Sequence, residues 1–195
     1  PDDPFALRYF ARINNDKGKA QEALEYGNRL IKLKKNQGKA YLEYGRSLML
    51  LSKNEEALSA FNEASRYMPD DPQPDIYLGD LNFNLKRYSK ASAHYLKVID
   101  MDPDNVDAYL KAAKSTEMAG DSRNAYELLK KIAPKYTNHG VLQRELGVLG
   151  LINGDTAKAK IHLEASVRSG TADDRVLMGL GWVFIREKDY EKAFS

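Results

Sequence analysis

A regular period of about 34 residues constrains this chain more than any other feature of its sequence. The tetrapeptide Pro-Asp-Asp-Pro stands at residues 1–4 and again at 69–72, which is two periods further along. Dividing the chain in this register needs no insertion and gives blocks at 4–37, 38–71, 72–105, 106–139 and 140–173, with a shorter block at 174–195. Fixed periods of about 20 to 50 residues are typical of repeat proteins, so the sequence predicts a single array of stacked units over residues 1–195.

Two places in every block hold only very small residues. The eighth place is occupied by Ala11, Gly45, Gly79, Ala113, Gly147 and Gly181, and the twentieth by Ala23, Ala57, Ala91, Ala125, Ala159 and Ala193. The twenty-fourth place is bulky in four blocks, with Phe61, Tyr95, Leu129 and Leu163. Small residues at two fixed places indicate that two helices cross there with their backbones close together, because a larger side chain would be overpacked.

Turn signals fall between these places. Gly18, Gly120 and Gly154 stand at the fifteenth place of their blocks, where a helix can end in a left-handed residue. Pro69 and Pro103, each beside an aspartate, mark the end of a second helix. Each block is therefore predicted to form a helix of about 14 residues, a tight turn and a second, antiparallel helix.

With these features, residues 4–195 resemble the tetratricopeptide repeat family. One block matches the family signature at Leu78, Gly79, Tyr88, Ala91, Tyr95, Asp102 and Pro103. The chain departs from the family at Asp75 and Gln143, which stand where the family prefers an aromatic residue. The resemblance implies an all-α fold, a right-handed α-solenoid of antiparallel helix pairs whose first helices line a concave groove.

The resemblance also assigns the places that face this groove. The candidate partner-binding residues are Arg8, Arg12, Leu42, Arg46, Met49, Leu50, Ile76, Phe83, Leu110, Met118, Leu151, Ile152 and Trp182. The apolar members suit an extended peptide or an amphipathic helix of a partner protein, and the arginines suit acidic groups or a carboxylate. An apolar residue at these places can instead pack between repeats, so the exposure of each side chain decides its role.

The sequence favours no catalytic or cofactor chemistry. It has no cysteine, phosphate-binding glycine loop, nucleophile elbow or zinc-ligand spacing. The two histidines that share a repeat place, His94 and His162, stand two repeats apart, and we interpret them as surface or partly packed residues. A net charge of +2 does not favour nucleic acid, and no apolar run is long enough to span a membrane. We therefore predict a non-enzymatic protein without metal or cofactor.

The predicted function is a protein–protein interaction scaffold that holds a peptide or helix of a partner. Residues 173–193 resemble the repeats of bacterial lipoproteins that serve pilus and secretion machines, including the tight-adherence pilus type. That resemblance implies a place in the periplasm or at the outer membrane rather than in the cytoplasm. The family's clamp for chaperone tails is not reproduced, because Arg8, Arg12 and Glu43 stand where its lysine and asparagines would be.

Two alternatives stay open. The chain could be a self-associating structural array, joined through an apolar C-terminal end at Phe184 and Phe194 that no polar helix caps. It could also be an RNA-binding helical-repeat protein of the pentatricopeptide type. That alternative fits less well, because the pentatricopeptide unit is longer than the period of this chain and no base-reading polar pairs recur.

Overall fold

A computed structural model describes residues 3–33 and 37–193, and within these ranges the chain forms helices and short turns with no strand. Phe194, part of the predicted open C-terminal end, lies outside the described residues. The helices are α1 (Pro4–Asp16), α2 (Ala20–Lys32), α3 (Gln37–Leu50), α4 (Asn54–Tyr67), α5 (Gln73–Asn84), α6 (Tyr88–Met101), α7 (Val106–Met118), α8 (Ser122–Ile132), α9 (Gly140–Ile152), α10 (Thr156–Arg168), α11 (Asp174–Arg186) and α12 (Tyr190–Ala193).

The helices pack as consecutive pairs in two compact units. Unit 1 is Pro1–Pro103 and holds α1 to α6, and unit 2 is Asp104–Ser195 and holds α7 to α12. Within a pair, three residues connect the first helix to the second, so the two helices run antiparallel. The predicted all-α fold of tetratricopeptide-type helix pairs is confirmed.

The fifteenth place of every block is a left-handed turn residue. Gly18, Gly120 and Gly154 have φ values of +72°, +96° and +80°, which confirms the predicted turns. The same place holds Ser52, Lys86 and Lys188 in the other blocks, at φ values of 59°, 58° and 61°. These three side chains occupy a backbone conformation that costs L-residues about 1–2 kcal/mol, so the turn is imposed by packing of the helices and not by glycine alone.

The small residues lie where helices of a pair cross, as predicted. A Cβ atom added to Gly45 would lie 2.6 Å from Cε1 of Phe61, and one added to Gly79 would lie 2.5 Å from Cε1 of Tyr95. Both aromatic rings are buried. The glycines therefore make room for the rings that fill the core of unit 1.

Candidate functional site

All thirteen predicted partner-binding residues lie on the first helices of their pairs. Unit 1 carries Arg8 and Arg12 on α1, Leu42, Arg46, Met49 and Leu50 on α3, and Ile76 and Phe83 on α5. Unit 2 carries Leu110 and Met118 on α7, Leu151 and Ile152 on α9, and Trp182 on α11. None of the thirteen is fully buried, but their exposure and contacts differ, and these differences decide what each residue can do.

One group of basic side chains in unit 1 lines a surface pocket of about 290 Å³, here called the cationic groove. Its lining residues are Arg8, Tyr9, Arg12, Lys39, Leu42, Glu43, Asp71 and Gln73. Arg8 and Arg12 are one helical turn apart on α1 and so share a face. Among the described residues, neither arginine nor Lys39 is in an ion pair, so all three charges are available to an anionic partner.

Arg46, the third predicted basic residue, is ion-paired within unit 1. Its guanidinium donates from Nη1 to Oε2 of Glu43 at 2.9 Å and from Nη2 to Oδ1 of Asp16 at 2.5 Å. Burial lowers the pKa of Arg46, but the hydrogen bond to Asp16 and the charge of Glu43 outweigh it and raise the pKa above its ordinary value. The Arg46 charge is therefore used inside unit 1, where it neutralises the buried carboxylate of Glu43.

The same buried network joins α1 to α3. Asn15 donates from Nδ2 to the backbone oxygen of Glu43 at 2.9 Å and to its Oε2 at 3.1 Å, and Ser47 donates from Oγ to Oδ1 of Asn15 at 2.9 Å. Asn15 and Ser47 are both buried. A buried polar network of this kind fixes the register of the two helices, so it keeps Arg8, on α1, beside Lys39, on α3.

Most of the predicted apolar residues of unit 1 serve its core. Leu42 and Met49 pack against the buried cluster that contains Leu48 and Phe61. The half-buried ring of Phe83 packs edge-on against Tyr88, with centroids 5.4 Å apart. Ile76 is half-buried, and Leu50 is 48% exposed at the end of α3.

Unit 2 presents more apolar surface on its first helices. Met118, Ile152 and Trp182 are 44%, 56% and 43% exposed. On α11, Met178 and Ile185 are also exposed, and their spacing from Trp182 by four and three residues places all three on one face of the helix. These five residues are called the apolar face of unit 2. A set of large exposed side chains on packed helices is typical of an interaction surface.

A second feature of unit 2, which the sequence did not predict, is a pocket of about 360 Å³ beside α7 and α9, here called the unit 2 pocket. Its apolar wall contains Leu110, Ala113, Leu129, Val141 and Leu149, and its charged rim contains Lys111, Lys114, Glu117, Arg144, Glu145 and Arg175. Nε of Arg144 and Nη2 of Arg175 lie 2.9 Å and 3.0 Å from Oε1 of Glu145, so two cations hold this carboxylate at the rim.

The two departures from the family's aromatic residue are explained by two histidines. Oδ1 of Asp75 lies 2.7 Å from Nδ1 of His94, and Oε1 of Gln143 lies 2.6 Å from Nδ1 of His162. Asp75 and Gln143 are buried, and each histidine follows its partner by 19 residues. A buried acceptor needs a donor, and each histidine supplies one to its partner.

Electrostatics at the two pairs differ. Burial raises the pKa of Asp75, but hydrogen bonds from His94 and Ser65 and the charge of Lys97 outweigh burial and lower the pKa below its ordinary value. Burial is the main cause that lowers the pKa of His162. Each histidine joins its own helix to the preceding one through one hydrogen bond, and the described residues contain no cluster of three or more metal-ligating side chains. The geometry therefore indicates structural roles for these histidines.

The described part of the chain contains no helix that is both long and apolar enough to cross a bilayer.

Comparisons with known proteins agree with this geometry. The family model of the tetratricopeptide repeat matches residues 42–106. No curated protein sequence matches the chain. Among solved structures, MamA of Desulfovibrio magneticus RS-1 is similar with a TM-score of 0.70 and 19% identity, over 82% of this chain and 90% of that chain.

Two further structures have the same fold. PilF of Pseudomonas aeruginosa matches with a TM-score of 0.75 and 13% identity, over 98% of this chain and 87% of that chain. YrrB, described as a tetratricopeptide repeat protein with an unusual peptide-binding site, matches with a TM-score of 0.74 and 16% identity, over 90% and 91% of the two chains. At these identities the likeness establishes the fold alone.

Proposed function

We propose that this protein is a protein–protein interaction scaffold. The proposal starts from two facts: residues 42–106 match the tetratricopeptide repeat family, and the chain has the fold of that family. It binds a peptide or helix of a partner on the first helices of its units and catalyses no reaction itself. One observation carries this proposal: large apolar side chains remain exposed on first helices that are otherwise packed, above all Met118, Ile152 and Trp182.

The two units offer different chemistry to a partner. The cationic groove of unit 1 presents Arg8, Arg12 and Lys39 and suits an acidic side chain or a terminal carboxylate. The apolar face of unit 2 suits the hydrophobic side of an amphipathic helix or alternate residues of an extended peptide. Its methionines can repack against different ligands, which favours a surface that tolerates variation in the bound sequence.

A role in assembly of a bacterial pilus or secretion complex in the cell envelope is the more specific form of the proposal. It is supported by the resemblance of residues 173–193 to repeats of pilus and secretion lipoproteins. The fold shared with PilF of Pseudomonas aeruginosa is consistent with it. YrrB, a protein of this fold with a peptide-binding site, supports the broader statement that such helix pairs hold peptides.

The test compares two double variants that carry the same chemical change. Leu50→Asp with Ile152→Asp places charges on first helices, whereas Leu96→Asp with Ile161→Asp places them at exposed apolar residues of the second helices α6 and α10. All four residues are at least 41% exposed, so both variants should fold. Immobilised protein is incubated with extract of the cells that make it, and recovered proteins are quantified by mass spectrometry. The proposal requires a partner that binds wild type and the second-helix variant but not the first-helix variant.

The competing function is a structural array that associates with itself through exposed apolar residues of unit 2. It is favoured by the exposure of Leu177, Met178 and Ile185 on one helix, α11. Sedimentation velocity across a hundredfold range of concentration separates the two functions. A monomer throughout the range contradicts self-association, and a dimer that Met178→Asp dissociates contradicts the proposal of a separate partner on this face.

A further inference from the structure

The unit 2 pocket has a filled counterpart in unit 1. Phe61 and Tyr77 stand two repeats before Leu129 and Glu145, at the same places of their blocks. In unit 1 the rings of Phe61 and Tyr77 stack with centroids 5.1 Å apart and planes inclined by 9°. In unit 2 a leucine and a glutamate stand at these places, and both line the cavity of about 360 Å³. The pocket therefore opens where the same architecture elsewhere holds aromatic rings.

The residue beside these rings, Gly45 in unit 1 and Ala113 in unit 2, decides which of the two aromatic rings has no replacement in unit 2. Phe61 fits because its neighbour is Gly45, where an added Cβ would lie 2.6 Å from the ring. The equivalent residue of unit 2 is Ala113, whose Cβ takes that space, so the smaller Leu129 is the matching core residue. No side chain of unit 2 fills the space that the Tyr77 ring fills in unit 1. Glu145 stands at that place, but Arg144 and Arg175 hold its side chain at the rim.

The surroundings of the missing ring are retained. In unit 1 the Arg46 guanidinium lies 5.9 Å from the centroid of the Tyr77 ring, and unit 2 has Lys114 at the place of Arg46. A cation near a ring face favours an aromatic guest over an aliphatic one. The volume is at the small end of the range of about 300–1,000 Å³ typical of ligand pockets, which suits a single large side chain.

Charge at the rim indicates what flanks the guest. Four cations and two carboxylates line the pocket: Lys111, Lys114, Arg144 and Arg175, with Glu117 and Glu145. A third carboxylate, that of Asp173, pairs with both arginines from beside the pocket. The rim still has one cation more than it has carboxylates, which favours acidic residues next to the inserted side chain. The aromatic-sized space and the positive rim are independent observations that point to one kind of segment.

We propose that the unit 2 pocket receives one aromatic side chain of a partner polypeptide, between acidic residues, at the place that Tyr77 occupies in unit 1. This inference rests on the proposed scaffold function and specifies the anchor residue of the bound segment. The aromatic ring packs on Leu110 and Val141, the half-buried residues of the apolar wall, and the acidic neighbours pair with rim cations.

The direct test uses a blocked heptapeptide with one phenylalanine between two pairs of glutamates. Its binding to the full chain is followed by NMR through the methyl signals of Leu110 and Val141. Replacing the peptide's phenylalanine by alanine should weaken binding about tenfold or more, because burial of the ring is lost. Replacing the glutamates by glutamines should weaken binding severalfold at low salt and leave the same methyl groups shifted.

A filled pocket provides the matched protein variant. The substitutions Ala113→Gly, Leu129→Phe and Glu145→Tyr together transfer the Gly45, Phe61 and Tyr77 arrangement into unit 2. Glu145→Tyr alone fills the pocket with less change to the core, and Glu145→Gln keeps the pocket open as a control. Thermal unfolding by circular dichroism verifies that each variant is folded. Both filled variants should lose binding of the phenylalanine peptide, whereas the glutamine variant should retain it.

Several outcomes overturn the inference. Equal binding of the phenylalanine and alanine peptides would show that the ring is not the anchor, and peptide binding by a folded, filled variant would place the peptide elsewhere. Methyl shifts that depend on protein concentration without peptide would identify a second copy as the occupant. A partner that is lost with Leu50→Asp and Ile152→Asp but still binds the filled variants would contradict this inference and leave the scaffold function standing.

Discussion

The pair formed by Asp75 and His94 allows a sharp test of how the repeats tolerate a polar residue at an aromatic place. Asp75 is 1% exposed, lies 2.7 Å from Nδ1 of His94 and accepts a hydrogen bond from Ser65 at 3.1 Å. The equivalent pair one repeat earlier is Tyr41 and Ala60. We therefore expect Asp75→Tyr combined with His94→Ala to be tolerated, although each single change is not.

The expected change in the free energy of unfolding depends on which groups remain at the site after each substitution. Removing one hydrogen-bond partner of a buried carboxylate costs about 1.5–3 kcal/mol. Ser65 and Lys97 still contact the carboxylate, so we expect His94→Ala to lower the free energy of unfolding by about 2–3 kcal/mol, within that range. Asp75→Tyr alone should cost about 1–3 kcal/mol, because the ring meets the imidazole in a packed site. The free energy of unfolding of the double variant should lie within about 1 kcal/mol of the wild-type value. The two substitutions are then coupled by at least about 2 kcal/mol.

Urea unfolding followed by circular dichroism measures all four proteins of this cycle. The reasoning would be refuted if the decrease in the free energy of unfolding in the double variant equalled the sum of the decreases in the two single variants. The pH dependence gives an independent check. The pKa of Asp75 is lowered, so its contribution is present above the unfolded-state pKa of about 3.9 and is lost as pH falls through its lower folded-state value. Without the His94 hydrogen bond, this acid loss should begin at a higher pH.

Three further predictions concern other places in the chain. Burial lowers the pKa of His162, so the free energy of unfolding should fall as pH drops from about 7.5 to 5.5, and His162→Gln should flatten this dependence in urea titrations; identical slopes would contradict it. Lys86→Gly should raise the free energy of unfolding by about 0.5–1 kcal/mol because φ is 58°, and a lower thermal midpoint would oppose this account of the turn. Arg12→Gln should weaken binding of an acidic peptide severalfold at low salt, measured by fluorescence anisotropy, whereas exposed Arg66→Gln should not; equal effects would argue against a localised cationic groove.

The period, the helix pairs and their turns could be predicted because they depend on local backbone geometry. Small residues such as Gly45 recur wherever two backbones approach closely, and a left-handed turn must end each first helix. Ser52 and Lys86 adopt the same turn without being glycine, so residue type alone marks only half of these positions. The period supplies the rest, since it identifies equivalent places whatever residue occupies them.

The roles of individual surface residues could be predicted only in part. Arg46 shares the first-helix face with other basic residues, but its partner Asp16 lies 30 residues earlier, and no repeat pattern indicates that contact. Leu42 and Leu50 both stand at predicted groove places, yet one packs on the core and the other is exposed. The exposure of a side chain depends on its neighbours from other helices. The residue types at one place of the repeat carry no information about those neighbours.

Two features of the structure can be recognised in the sequence, but only when the repeats are compared with one another. Asp75 and Gln143 are each followed 19 residues later by a histidine, so the polar residue and its donor change together. The unit 2 pocket arises because Glu145 stands at the place of Tyr77, a change visible two repeats apart. In both cases the physical meaning lies in a pair of residues, one from each of two helices.

Site-specific photo-crosslinking tests the central claim most directly. The photoreactive residue p-benzoylphenylalanine is placed at 152 on α9 or at 161 on α10, both exposed apolar positions of unit 2, and the cells that make the protein are irradiated. The scaffold function predicts a defined adduct with another polypeptide from position 152 and none of that mass from position 161. The same adduct from both positions, or none from position 152, would contradict it.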